Sequence, residues 1–409
     1  MQRTFPLPSS QTFSLLFCSR DRFPTARPDV EILFESELAH RGHRLVWLLS
    51  AQGASRSDIV NWHHSRVYLG AQVAGRSLFA RSVNAFLRGL NEFRLPLVAI
   101  RERPSIIQVK DRFLVALLGL LTARLLKVPF CFWLSYPYHE EDLERARKGT
   151  GIRRWFLYAR AAYIRKILRI LLRSADHVFA QSQKMVGTLV SMGGDSRRLT
   201  AVPMGVDVER IQQALEVPAM PDRDCICYLG ALSRYRQLDM LIDALAIVRR
   251  SQARVRLLLV GSGEIPADEQ LLLNRAAALG ISDAVTITGQ LPQPEAWQHV
   301  RGSLIALSPL RASTVWQVSS PTKVAEYLAL ERPVVVTDVA DQAELVDEFG
   351  AGEVVAWSAE SFAAGILRIL ERPEDALARA SEAGKAVLCR RSYDTLATRV
   401  EGVYRGLLR

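Results

Sequence analysis

The chain has 409 residues, 49% hydrophobic and 23% charged, with a formal net charge of +11. That length exceeds one ordinary core, and that composition excludes a disordered or low-complexity chain, so two folded domains are expected. The charge is lopsided: residues 1–200 hold 31 Lys and Arg against 15 Asp and Glu (+16), and the remainder holds 22 against 27 (−5). The first half is therefore built to face something anionic.

Residues 1–11 lack the apolar core of a leader, and the longest uncharged apolar run, Phe113 to Ala123, falls short of the ~20 residues a membrane span needs. A cytoplasmic chain is expected. Phe13–Cys18 reads as a short apolar strand. Val30, Leu33, Phe34 and Leu38 then recur at helical spacing over 30–41, stop at Gly42, and give way to a strand at Leu45–Leu49. Ser105–Val109 reads as a strand, Phe113–Leu126 as a buried helix and Pro129–Leu134 as another strand. Residues 153–173 hold seven basic side chains and no acid, interleaved with Trp155, Phe156, Tyr158 and Tyr163. At helical spacing Arg154, Arg165, Lys166 and Arg169 form a polar edge beside an apolar face, the profile of a helix lying on an anionic bilayer; a core helix with one basic face is the alternative. A strand at His177–Ala180 and a helix from Gln183 close this series.

A second β-α-β series starts at strand Cys225–Leu229, ending in Gly230. It continues through helix Leu238–Arg249, strand Val255–Val260, the turn Gly261-Ser262-Gly263, helix Glu269–Leu279, and strands Ala284–Thr288, Ser303–Ser308 and Glu353–Ala356. The five cysteines are scattered, and Cys225 and Cys227 have neither zinc nor thioredoxin spacing, so buried free thiols are expected. Ser319 to Thr337 is the most informative segment. Ser320 suits an N-cap and Pro321 the first helical position; Val324, Tyr327, Leu328 and Leu330 are apolar contacts, and Val334–Val336 is a buried strand after Pro333. The amino end of this helix, with Lys323, suits phosphates, and Glu326 one turn deeper suits ribose hydroxyls.

The fold class is thus α/β: two tandem Rossmann-like, doubly wound parallel-sheet domains facing a central cleft. The expected boundaries are 1–205 for the first domain, 206–222 for a hinge, 223–390 for the second domain, and 391–409 for a helix packing back on the first.

The second half resembles the retaining nucleotide-sugar glycosyltransferases of family 4, of GT-B architecture. Six pieces carry the resemblance in order: PMGVD (203–207), YLGALSRYRQLDMLIDAL (228–245), RLLLVGSGE (256–264), VTITGQLP (285–292), IALSPL (305–310) and SSPTKVAEYLALERPVVVT (319–337). The first half is similar to the family's polysaccharide- and glycolipid-assembly branch through RDRFPTAR (20–27), ELAHRGH (37–43) and FWLSYPYHE (132–140). The resemblance implies donor binding by Gly230, Arg234, Arg236, Gly261, Gly263, Ser308, Ser319, Ser320, Lys323 and Glu326, without a metal or cofactor. It also implies a UDP- or GDP-linked sugar. Val318 stands where the family's first glutamate would be, and no glycine-rich loop follows the first strand. Arg20, Arg22 and Arg27 there suit an acceptor phosphate, with Asp21 as a base, or form a self-paired loop. His139 and Asp111 are the other catalytic candidates, His139 and Glu140 being equally a helix-start pair.

These residues together lead us to expect a glycosyltransferase, peripheral to the inner face of the plasma membrane, acting on a lipid-linked or oligosaccharide acceptor. Nucleic acid is not an expected partner. A nucleotide-sugar epimerase of the same architecture and a non-catalytic nucleotide-sugar binder are the rival readings.

Overall fold

The structure, a computed structural model, describes residues 12–25, 27–53, 56–75 and 77–409. The leaderless start expected from residues 1–11 lies outside them. The chain divides into two compact units, Met1–Val202 with Leu396–Arg409, and Pro203–Thr395.

In the first unit the strands are β1 (Ser14–Phe23), β2 (Arg44–Ala51), β3 (Asp58–Trp62), β4 (Ser65–Gly70), β5 (Ile106–Lys110), β6 (Phe130–Leu134), β7 (His177–Ala180) and β8 (Leu199–Ala201). Among the described residues they form one sheet in the order β3-β4-β2-β1-β5-β6-β7-β8. Every neighbouring pair is parallel except β3 with β4. All residues of β5, β6 and β7 are buried, as strands covered on both faces must be. The helices are α1 (Pro28–Val30), α2 (Leu78–Phe93), α3 (Leu95–Glu102), α4 (Phe113–Leu126), α5 (Tyr138–Lys148), α6 (Gly151–Ser174) and α7 (Gln183–Ser191). The strand order reverses direction at β1, so right-handed crossovers put α2 through α7 on one face of the sheet.

Two expectations need correction here. The helix read over 30–41 is α1 followed by a π-helix, Glu31–Leu38. Leu33, Phe34 and Leu38 bury as the periodicity implied, but the wider turn also carries Glu35 inward, where it accepts from the Trp47 indole at 2.9 Å. Second, β1 does not stop at Cys18. Arg22 and Phe23 pair with Ser50 and Ala51 of β2 after a register shift, so Arg20, Asp21 and Arg22 sit on a bulged strand end rather than a loop.

The second unit has α8 (Val208–Glu216), β9 (Asp222–Leu229), α9 (Asp239–Val248), β10 (Arg256–Val260), α10 (Pro266–Ala278), β11 (Val285–Ile287) and α11 (Gln293–Arg301). It continues with β12 (Ser303–Ser308), α12 (Thr314–Gln317), α13 (Thr322–Ala329), β13 (Val334–Thr337) and α14 (Ala340–Phe349). Strand β14 (Gly352–Val355) and helices α15 (Ala359–Glu371) and α16 (Pro373–Arg390) complete it. Its parallel sheet runs β11-β10-β9-β12-β13-β14. The segment expected as a hinge, 206–222, is largely helix. Ile211 and Ala214 of α8 join the same core cluster as Val324 and Leu328, and Val206 bridges to Ser392. The cysteines are free, but Cys389 is exposed and Cys225 half-buried; Cys18, Cys131 and Cys227 are buried as expected.

The last helix, α17 (Tyr393–Leu407), enters the first unit from Leu396 onward. Tyr404 is fully buried and donates to Gln108 of β5 at 2.5 Å. Glu401 accepts from Arg41 at 2.7 Å, lies 3.1 Å from His43 Nε2, and is also held by Arg405. Burial opposes its charge, yet the hydrogen bonds from Arg41, Arg405 and His43 bring its pKa from 4.5 down to about 2. A carboxylate depressed in the folded state stabilises fully above its unfolded pKa and loses that contribution as pH falls through the folded value. Glu401→Gln should therefore melt lower than the parent at pH 7, with the gap closing between about 4.5 and about 2. Circular-dichroism melts across that range check it; a pH-independent gap would count against the ion cluster as its cause.

Candidate functional site

Strands β9 and β10 of the second unit end in glycines with positive φ, Gly230 at +146° and Gly261 at +144°. A Cβ on Gly261 would stand 2.1 Å from the Gly230 carbonyl oxygen, and one on Gly230 would stand 2.2 Å from Lys323 Nζ. Only glycine permits that approach. Lys323 comes from the first turn of α13, whose cap residue Pro321 supplies no side-chain bond to the helix N–H groups. Its Nζ donates to Tyr228 Oη at 2.9 Å and lies 4.2 Å from the centre of that ring. Burial, then the charge of Arg236, lowers the lysine to about 7, with Glu326 opposing. Burial likewise raises Glu326 to about 7, against the pull of Lys323 and a hydrogen bond from Trp297. Arg236, on the turn Arg234–Arg236, lies over Trp316 at 5.0 Å. Cations starved of counter-charge, glycine backbone and an uncapped helix start thus converge on one spot, which suits a diphosphate.

The structure brings together Gly230, Gly261, Arg236, Lys323 and Glu326 from the expected donor set. The others already have partners. Arg234 Nε is tied at 3.0 Å to the buried Asp268, so it does not pair with Arg236 as a clamp. The Gly263 N–H donates to Glu269 at 2.9 Å, Ser308 to the buried Gln342 at 2.9 Å, and Ser319 to the Trp316 carbonyl at 2.7 Å. Ser320 is not the N-cap: Pro321 holds that place because the Ser320 hydroxyl is spent elsewhere, accepting from Met204 N at 2.9 Å and donating to Asp341 at 2.7 Å. Tyr228, Trp297 and Trp316 complete the site beyond the expected set. Tyr228 had a signal, since it opens the YLG run directly before the glycine.

In the first unit, Asp21, Arg27, Asp29 and Lys110 form a closed network. The buried Lys110 donates to Asp29 at 2.6 Å and to Asp21 at 3.4 Å, while Arg27 Nε reaches Asp29 at 3.0 Å. Ser19 also donates to Asp21, at 2.5 Å. Asp21 is therefore no free base, and Arg27 no free phosphate ligand. Asp111, buried with φ +59°, accepts from both the amide and the hydroxyl of Ser135; burial raises its pKa and Lys110 opposes. His139 is not at an open edge. It is buried on α5, 3.3 Å from Glu140, and burial lowers its pKa so that it is neutral at pH 7.

Arg20 and Arg22 stay exposed. Arg20 lies over Tyr138 at 5.3 Å, and Arg88 and Arg112 stand near it. Arg112 is ion-paired with buried Glu92, and burial plus the charges of Arg112, Arg22 and Arg20 lower the pKa of Arg88. Arg88 thus lies among three other guanidiniums, and Arg112, Arg88 and Arg20 bear on the carboxylate of Glu92.

Helix α6 corrects the expected division of faces. Its aliphatics Leu157, Ile164, Leu168 and Leu171 point into the first unit, whereas Ile152, Trp155, Phe156, Tyr163 and Ile170 point outward among Arg154, Lys166 and Arg169. Arg165 is half-buried, with its charge bearing on His139, so it does not belong to the outward face. Among the described residues no helix is long and apolar enough to cross a membrane.

Residues 34–210 match the family described as Glycosyltransferase Family 4, and residues 223–372 match that described as Glycosyl transferases group 1. Each half is thus similar to a glycosyltransferase family. A D-inositol 3-phosphate glycosyltransferase of Segniliparus rotundus is 27% identical over 249 residues, covering 58% of this chain and 54% of that protein. D-inositol 3-phosphate glycosyltransferase 1 of Catenulispora acidiphila is 27% identical over 182 residues, 41% and 42% of the two chains. The match thus spans about half the length of the curated relatives. Among solved structures, Anabaena HepE in complex with UDP has a TM-score of 0.66 at 14% identity, covering 95% of this chain and 99% of that one. Sucrose-phosphate synthase from Thermosynechococcus elongatus has a TM-score of 0.70 at 15% identity, covering 97% and 99%. The fold is GT-B, as the sequence motifs implied.

The glycine crossing is open to a direct test. Gly261→Ala should destabilise the protein by about 2 kcal/mol or more, through strain and the forced separation of two backbones. Urea unfolding measures it, and an unchanged midpoint would contradict the close approach.

Proposed function

We propose that the protein is a retaining glycosyltransferase that moves a sugar from a UDP- or GDP-linked donor to a phosphate-bearing, lipid-linked glycan acceptor. The observation that carries this reading is Lys323, half-buried against Tyr228 beside Gly230 at the uncapped start of α13. A sugar leaving a nucleoside diphosphate sheds developing negative charge. Lys323, Arg236 and the helix start are positioned to stabilise it without rearranging. Glu326, a turn deeper, would accept from ribose hydroxyls. The donor reading is further supported by HepE, which binds UDP and UDP-glucose in its own crystals.

A phosphate on the acceptor is supported by the four-guanidinium cluster and by relatives named for inositol 3-phosphate. The lipid-linked character and a place at the inner face of the membrane rest on the outward side of α6, where Trp155 and Phe156 stand among Arg154, Lys166 and Arg169. The epimerase reading requires free acid and base groups, and Asp21, Asp111 and His139 are engaged or buried, which favours transfer. Release of nucleoside diphosphate only when lipid extract is added supports transfer; free isomerised sugar would support epimerisation instead.

Glu326→Ala should abolish most of the thermal shift caused by the matching nucleotide sugar, and an undiminished shift would remove the ribose assignment. Donor affinity should also depend on pH. Without a bound anion Lys323 loses its proton near 7, and a bound diphosphate raises that value, so binding above pH 7 takes up a proton and weakens as pH rises. Calorimetric titration between pH 6 and 9 should show that decline, and Lys323→Gln should bind weakly and lose it.

A further inference from the structure

Helix α2 wears its apolar stripe on the outside. Phe79, Val83, Phe86, Leu90 and Phe93 recur every three or four residues, the spacing that normally faces a core. Yet Phe79, Phe86, Leu90 and Phe93 are 79%, 67%, 51% and 54% exposed. The polar side of the helix faces inward. Asn91 is buried and donates to the Leu49 carbonyl at 2.9 Å, and buried Glu92 pairs with Arg112. Gly70 of β4 packs so closely that a Cβ there would lie 2.6 Å from Asn91 Cβ. The helix therefore cannot roll to hide its phenylalanines without leaving those polar groups unpaired.

The stripe has neighbours. Leu97 and Ile100 of α3 and Leu121 and Leu125 of α4 are also exposed, and α4 packs against α2, α3 and α6 in one layer. Along these four helices the carboxylates are Glu92 and Glu102, both buried and ion-paired, whereas Arg81, Arg101, Lys127 and Lys166 are exposed.

We propose that α2, with the adjoining surface of α3 and α4, is a membrane-docking face whose phenylalanines enter the interfacial layer of an anionic bilayer. Charge selects this occupant. A second copy of the chain would bring the same cationic rim against itself, while acidic headgroups complement it. The proposal deepens the lipid-linked acceptor reading and rests on it for its purpose. It also places Arg88, on the inward side of the same helix, and the arginines around it close to headgroup phosphates.

Co-sedimentation with phosphatidylglycerol-containing and with pure phosphatidylcholine vesicles tests it. The parent should bind the anionic vesicles, less so at high salt, and Phe79→Glu with Phe86→Glu should bind about tenfold more weakly or worse. The nucleotide-sugar thermal shift of that variant should be unchanged, which shows that it is folded. Three results would overturn the proposal: undiminished vesicle binding by the variant, no binding by the parent, or a lipid-free dimer of the parent that the variant dissociates. A Phe86-dependent vesicle interaction with no response to any nucleotide sugar would leave the docking face standing and sink the transferase reading.

Discussion

Backbone passing backbone is the constraint on which the second unit's site depends. The ends of β9 and β10 meet at Gly230 and Gly261 with no room for a side chain between them. The missing side chain at Gly230 is what lets the lysine of α13 reach in beside Tyr228. Once there, it is walled by Tyr228 and repelled by Arg236, so its charge is costly until an anion arrives. The pocket is thus preorganised by exclusion. Its cation is held where water is scarce, with one partner that is an aromatic hydroxyl and not a carboxylate.

The first unit solves the opposite problem. It gathers Asp21, Asp29, Arg27 and Lys110 at the strand ends and pairs them off, so that a dense set of charges presents little net field. Beside them Asp111 is locked by Ser135 in a left-handed backbone conformation. The unbalanced charge lies a few residues away, where Arg20, Arg22 and Arg112 bear on Arg88 and Glu92 pairs with Arg112. Balanced groups hold the strand ends, while Arg20 and Arg22 stay exposed beside them.

The outer layer of that unit follows from how its helices are anchored. In α6 the aliphatics are drawn into the core, and the aromatics are left outside with the basic residues. In α2 the anchors are polar, and Phe79, Phe86, Leu90 and Phe93 are left outside. Both helices are amphipathic, but the first buries its apolar side and the second its polar one.

Much of the fold was legible in the sequence, for a physical reason. Strands buried on both faces must be continuous apolar runs, so β6, β7, β12 and β13 stood out within a residue of their bounds, as did α4. The six ordered motifs gave the second domain and, within its site, Gly230, Gly261, Lys323 and Glu326. What the chain alone did not disclose is partnership. Arg234 and Arg236 are two residues apart and chemically equal, yet one is bound to Asp268 and the other lies over Trp316. Nothing local distinguishes them, because those partners arrive from positions some 34 and 80 residues away. Likewise Asp21, Arg27 and Ser320 have the right chemistry for a site but are spent on neighbours that only folding delivers. Helical spacing told which residues of α2 and α6 share a face. Which face turns inward was decided by the anchors waiting on the sheet, since a moment in the sequence has direction only relative to a core.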